Sequence, residues 1–495
     1  MRTIACRIAA ATLLANGCGE PVGVVGDGSS SSAADTTTTE VATESSSSSG
    51  TADESSSSGV AMPTSECGNG SLEFGEDCDD GKNGDPDDGC TDDCTLPTCG
   101  DGWVQPSLGE ACDAGKGGDV FCGSECGSRH RLQWLDQLGT REGNDDNARG
   151  VAIDPAGNVI AVGDVDAIGD MVLGRDIWVR KYDPAGEVLW TRTHDSGVAA
   201  SNDFGDAVTT DADGNVYVAG GMPVMGNGDD AFVIAYDPDG AQQWITSHQG
   251  SAGNDDFFQA IVATSDGRLL VGGYAFEDPE PSAVGWYGLL DQSDGAVVFS
   301  DMVVATDSDF YAQIYDVAVG PDGELALAGI VDDDAFVRVL EPDGSERWSL
   351  VFDAIEKDED AARGVAFTPE GDVLVTGAGL YAYLRRFDAD GAELWSQVYG
   401  FAEASSRGVG ITTDGVVVLI GDDSSLGSSG RTPALFGIDP ADGTEVWRNA
   451  PLGGAVIGNG ARLATGPGGA FAAVGSATPH IFEGTDLWVV SYLPK

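Results

Sequence analysis

Between residues 205 and 244, short apolar runs alternate with polar turns in a fixed order. VTT and VYVAG flank an Asp-Gly-Asn turn at Gly214, and after a loop AFVIAY and AQQW flank a Pro-Asp-Gly turn at Gly240. β-Branched and aromatic residues in short alternating runs, separated by glycine-centred turns, predict two β-hairpins. Two hairpins in a unit of roughly 50 residues make a four-stranded sheet, the blade of a β-propeller. The first turn recurs at Gly157, Gly214, Gly267, Gly323, Gly371, Gly415 and Gly469, which counts seven units. The second recurs at Gly186, Gly240, Gly295, Gly344, Gly391 and Gly443, each followed four residues later by a large aromatic: Trp190, Trp244, Phe299, Trp348, Trp395 and Trp447. The seventh unit has three strands, ending in WVVSYLPK. Its fourth is expected from RLQWLDQLG around Trp134, which would close the ring and leave no edge strand for another chain. The predicted fold is therefore all-β, a seven-bladed propeller over residues 130–495 closed by an N-terminal strand, and a monomer.

Two further positions recur. Trp178, Phe232, Trp286, Phe336, Tyr383 and Trp488 share one place in the third strand, and such regularity predicts packing between blades rather than a stacking platform for a ligand. Asp146, Asp203, Asp256 and Asp360 stand eleven residues before the first turn glycine, and Asp176, Asp230, Asp334 and Asp486 two residues before the third-strand aromatic. Aspartates at strand ends bond backbone amides, and that is their expected role here; calcium coordination by some of them is the sharper alternative.

The region before the propeller has a different composition. Residues 1–18 carry Arg2 and Arg7 ahead of a short apolar run, the form of a secretion signal. Leu13, Leu14, Ala15, Asn16, Gly17 and Cys18 resemble the lipobox of a bacterial lipoprotein, which implies a lipid on Cys18. Residues 19–66 are rich in serine, threonine and acidic residues without apolar periodicity, the composition of a flexible tether. Residues 67–129 hold two groups of four cysteines, Cys67, Cys78, Cys90 and Cys94, then Cys99, Cys112, Cys122 and Cys126. An even count behind an export signal predicts disulfides of open connectivity; zinc is disfavoured because the cysteines lack paired C-x2-C spacing and no histidine lies among them. The texts CGNGSLEFGEDCDDG and CGDGWVQPSLGEACDAG resemble the cysteine-rich repeats of myxobacterial surface proteins. The loop EDCDDGKNGDPDDGC concentrates Asp77, Asp79, Asp80, Asp85, Asp87 and Asp88 and is the densest candidate for Ca2+.

Within the propeller, GNDDNARGVAIDPAGNVIAVG and VTTDADGNVYVAGG resemble the repeats of secreted bacterial seven-bladed propellers. Second hairpins such as GIDPADGTEVW are similar to the tryptophan-docking motif of quinoprotein propellers. No cysteine follows Cys126, which excludes a quinone site built on a vicinal disulfide.

Charge narrows the partners. A net charge of −58 opposes nucleic acid, whose binding needs lysine and arginine to displace counterions. Four histidines exist, His130, His194, His248 and His480, and neither a nucleophile–base arrangement nor a phosphate loop can be assembled from the text. His194 and His248 follow repeat tryptophans and are expected to be structural. Arg149, Arg363 and Arg407 share one repeat position, where ion-pair bracing of the inner face is expected. The resulting expectation is an exported, lipid-anchored or extracellular protein that presents its propeller to a protein or polysaccharide at the cell surface without enzymatic activity. The alternatives are a lyase or hydrolase with a site in the central channel, and an outer-membrane assembly scaffold.

Overall fold

The computed structural model is all-β and describes residues 8–9, 130–139, 145–166, 174–198, 201–226, 228–278, 282–306, 310–353, 360–378, 381–399, 405–413, 415–423, 431–452, 457–478 and 485–494. The cysteine module, the Asp77–Asp88 loop, Cys18 and His480 lie outside the described residues. Seven antiparallel sheets form the blades of a seven-bladed propeller. The first blade runs outward from the channel through Asn147–Ile153, Val159–Asp166, Arg175–Tyr182 and Val188–His194. The inner strands of the following blades are Phe204–Thr210, Phe257–Ala263, Ala312–Val319, Ala361–Phe367, Ser405–Ile411 and Ile457–Thr465.

The glycines counted in the sequence explain where each strand reverses. All thirteen turn glycines have positive φ, which a residue with a Cβ adopts only at a cost. In the first blade the turn is further tied by Asp154, whose Oδ1 accepts from the amides of Ala156 and Asn158 at 2.9 Å each. Second strands lie between neighbouring sheets on both faces, so they read as continuous apolar runs: Leu325–Val331 is buried throughout.

Closure follows the expected route. His130–Leu138 pairs antiparallel with Asp486–Pro494, with Leu135 opposite Val490, and completes the seventh blade from the N-terminal side. The backbone of Ile8–Ala9 pairs with Leu135 and Trp134 beyond it. Trp134 is 6% exposed and packs with Tyr182, so the closing strand grips the first blade as well as the seventh.

The outer-strand aromatics of six blades dock on the next blade. The indole N–H of Trp134 donates to the carbonyl of Pro184 at 3.1 Å, that of Trp190 to Pro238 at 3.0 Å, that of Trp244 to Gln292 at 3.1 Å, that of Trp348 to Ala389 at 3.0 Å and that of Trp395 to Pro440 at 3.1 Å. These acceptors lie in the second turns. At Gly240 a Cβ would come within 2.7 Å of the Trp190 ring, so this position needs glycine for its φ of +79° and for the space. Phe299 fills the same place against Gly344 without the hydrogen bond. Trp447 has no such turn beyond it, because the third and fourth strands of the seventh blade are not joined by a hairpin; it packs instead against the buried cluster that includes Leu435, Trp488 and Tyr492.

The third-strand aromatics are buried between blades as expected, none more than 4% exposed. The blade-junction aspartates also serve the backbone: Asp256 accepts from the amides of Gly250 at 2.6 Å and Phe276 at 2.8 Å, and Asp203 from Ser196 at 3.1 Å.

Candidate site at the channel mouth

Every inner strand carries a one-residue irregularity at the same place. Pairing with the second strand skips Arg149, Asp206, Gln259, Tyr315, Arg363, Arg407 and Ala461 in blades one to seven. A bulge leaves the extra residue outside the ladder and re-aims its side chain. Here all seven bulge residues line one cavity of about 220 Å3 at the channel axis, together with Asn147, Asn459, Arg462 and Ser476. The fold thus converts one repeated backbone feature into a ring of seven side chains whose chemistry differs from blade to blade.

The position just after each bulge shapes the floor. It is Gly150, Ala207, Ala260, Gly364 and Gly408 in five blades, but Asp316 in the fourth and Arg462 in the seventh. Small residues elsewhere give these two room to extend into the channel. Arg462 reaches across it, donating from Nη2 to the Tyr315 carbonyl at 2.7 Å and from Nη1 to the Arg407 carbonyl at 2.9 Å. It therefore borders both the mouth and a second cavity of about 390 Å3 deeper in the channel. Burial pushes the Asp316 carboxyl up, opposed by the Arg462 charge and by the amide of Val365, which donates to it at 2.9 Å.

Charge is unevenly spread around the mouth. On one side Arg149 pairs with Asp164 through Nε and with Asp206 at 3.4 Å, and stands over the Phe204 ring. Asp164 also holds Arg175 at 3.0 Å and Asn147 at 3.1 Å, so this side is locally neutral. On the other side Arg407 lies 4.0 Å from Asp422, which it shares with Arg431 at 3.4 Å, and its Nε has no hydrogen-bond partner. Arg363 stacks over the Tyr315 ring at 4.7 Å and makes no ion pair among the described residues. Burial lowers the pKa of Arg407; Asp422 opposes this, and the like charges of Arg363, Arg462 and Arg431 add to it. Bracing by ion pairs, expected for Arg149, Arg363 and Arg407 alike, thus holds for Arg149, is loose for Arg407 and is absent at Arg363.

Other sequence candidates lie away from this cavity. His194 and His248 end outer strands, and His248 packs 4.3 Å from the Trp286 ring with Glu277 at 3.7 Å. Burial lowers its pKa, opposed by the charges of Glu277, Asp256 and Asp230. Asp176, Asp195 and Asp203 bring carboxylate oxygens within 4.8 Å of one another at the junction of the first two blades. Asp195 accepts from the Gly197 amide at 2.7 Å, consistent with a loop-bracing role. Sequence reasoning missed Asp206, Gln259, Tyr315, Ala461 and Arg462. The signal was available: every bulge residue stands eight positions before a first-turn glycine, as Asp206 does before Gly214 and Ala461 before Gly469.

The family model described as outer membrane protein assembly factor BamB matches residues 381–478, from the third strand of the fifth blade to the second strand of the seventh. No curated protein sequence matches the chain. Among solved structures, the chain is similar to the WD40 β-propeller domain of Doa1 at 12% identity, with 74% of this chain and 97% of that one covered and a TM-score of 0.47. It is also similar to the quinohemoprotein alcohol dehydrogenase of Comamonas testosteroni at 12% identity, covering 73% and 76% of the two chains with a TM-score of 0.43. A protein of unknown function from Bacteroides caccae is 13% identical over 55% of this chain and 89% of that one, with a TM-score of 0.37.

Proposed function

We propose that this protein is an exported binding module of the cell envelope, tethered through Cys18 and residues 19–66, that engages its partner at the channel mouth without chemically changing it. One observation carries the reading. Seven equivalent bulges present seven side chains to one cavity, rich in guanidinium and amide groups, and no histidine or cysteine lines it among the described residues. General acid–base or nucleophilic work needs a base within hydrogen-bond reach of a nucleophile. The one lining serine, Ser476, instead donates to the Asn459 side chain at 3.3 Å. Asp206, the lining carboxylate, faces Arg149 at 3.4 Å, and the guanidinium and amide groups around it are suited to holding a ligand. The match to an outer-membrane assembly factor model supports an envelope setting and a binding role.

The test is a thermal melt of the full chain in mild detergent against a panel of envelope polysaccharides and proteins, with each ligand checked afterwards by mass spectrometry. A ligand that binds only the folded state raises the melting temperature. A raised melting temperature with the ligand intact is expected; conversion of the ligand would overturn the reading. Release of the Cys18→Ser chain from the membrane fraction is the companion check on the anchor.

A further inference from the structure

We propose that the Arg363–Arg407 side of the channel mouth binds the carboxylate of a sugar acid, either a free uronate or the uronate that ends an acidic polysaccharide chain. This rests on the binding-module reading above and names its ligand class.

The first argument is the distribution of charge. The molecule carries a net charge of −58 with only 24 lysines and arginines, yet four arginines converge on one small cavity. Arg149 is matched by Asp164 and Asp206, whereas Arg363 has no carboxylate partner among the described residues, and Arg407 shares Asp422 with Arg431 and keeps an unbonded Nε. The uncompensated positive charge therefore sits over blades five and six. A planar guanidinium offers paired donors that match the two oxygens of a carboxylate. Asp206 lines the same cavity and Asp422 lies behind Arg407, so the site can balance one negative charge and opposes a multiply charged group.

Size and polarity give the rest. Pockets for drug-sized ligands are about 300–1,000 Å3, so a cavity of about 220 Å3 admits one small unit. Away from the arginines the lining includes Asn147, Gln259, Asn459 and Ser476, donors and acceptors suited to hydroxyl groups. A strongly acidic surface repels the body of a polyanion, which leaves a free acid or a chain end as the form that can enter.

The experiment measures calorimetric binding of glucuronate, a short oligouronide, glucose and inorganic phosphate to the full chain and to its Arg363→Gln and Arg407→Gln variants. Glucuronate is expected to bind at least about tenfold more tightly than glucose or phosphate, and each variant to lose about tenfold, as expected for hydrogen bonds to a charged group. Arg363→Gln should melt close to the wild-type temperature without ligand, since it loses the stacking on Tyr315 but no ion pair among the described residues, which separates lost binding from lost folding. Tighter binding of the oligouronide than of glucuronate assigns the ligand to a polymer end, and the reverse assigns it to a free acid. Absence of glucuronate binding, equal binding of phosphate, or unchanged affinity in both variants would overturn the proposal. If another envelope ligand still stabilises the wild type, the binding-module reading survives that failure; cleavage of the oligouronide would overturn the reading itself.

Discussion

Two rings of side chains, one at the rim of the propeller and one at its axis, are built by the same repeat and obey opposite rules. At the rim, backbone position and residue type repeat together: a tryptophan docks on the next blade's turn through the same hydrogen bond at Trp134, Trp190, Trp244, Trp348 and Trp395. At the axis the backbone repeats, as a bulge in every inner strand, while the residue changes from arginine to aspartate, glutamine, tyrosine and alanine. Stacked repeats share one packing problem at the rim and solve it one way. The axis has no shared packing problem, because the bulge side chains face a cavity. Where geometry repeats and chemistry does not, blade packing does not set the residue type.

The largest break in this comparison comes from removing the strand that closes the rim. Deletion of 131–138 strips the seventh blade of its outer strand and the first blade of the Trp134 dock, exposing the edge of Asp486–Pro494. Truncating one buried tryptophan costs about 3–5 kcal/mol, and the deletion is expected to cost more, seen as a large fall in melting temperature. An unchanged melt would mean that the ring holds without closure.

A second break separates docking from turn geometry. Gly240 and Gly267 have nearly the same φ, +79° and +86°, but a Cβ at Gly240 meets the Trp190 ring at 2.7 Å while one at Gly267 meets nothing within 4 Å. Gly267→Ala should cost about 1 kcal/mol for backbone strain alone. Gly240→Ala should cost about 2–3 kcal/mol, because overpacking is added to the strain, and it should shift the tryptophan fluorescence. Equal costs in urea unfolding would show that the dock contributes nothing beyond the turn.

The same contrast explains what could be read in the chain. Rim features were legible because each ties a residue type to a fixed spacing: Gly186 and Trp190, Gly240 and Trp244, and the displaced Trp134 that completes the set. The buried third-strand aromatics were legible for the same reason. The axis was legible only where type happened to recur, at Arg149, Arg363 and Arg407. Gln259 and Tyr315 occupy identical backbone positions and share nothing chemical, so only their distance of eight residues from the turn glycine marks them. That Arg363 lacks an ion pair depends on which carboxylates the neighbouring blades bring near, and local sequence does not contain that information.

The smallest effect compares the two rings through their carboxylates. Beside the docking turns of the first two blades, Asp154 pairs with Lys181 at 2.9 Å, both almost fully buried. Burial works against its charge, but the Asn158 side chain and Lys181 outweigh this and hold its carboxyl below the usual range. A depressed folded pKa contributes stability that is present above the ordinary carboxylate pKa and is lost as pH falls through the folded value. At the axis the sign reverses. Burial pushes Asp206 up; Arg149 opposes this without cancelling it, and Asp164 adds to it. A raised folded pKa favours the folded state fully below the ordinary carboxylate pKa, and that gain is lost as pH rises through the folded value. Asp206→Asn should therefore melt slightly above wild type at neutral pH, with the gap closing on acidification. Asp154→Asn should melt below wild type at neutral pH, and its deficit should shrink only in stronger acid. Melting curves of the three proteins from pH 7.5 to 3 decide the matter, and a gap of the same sign for both variants would remove the distinction between a rim charge held for structure and an axial charge kept at a cost.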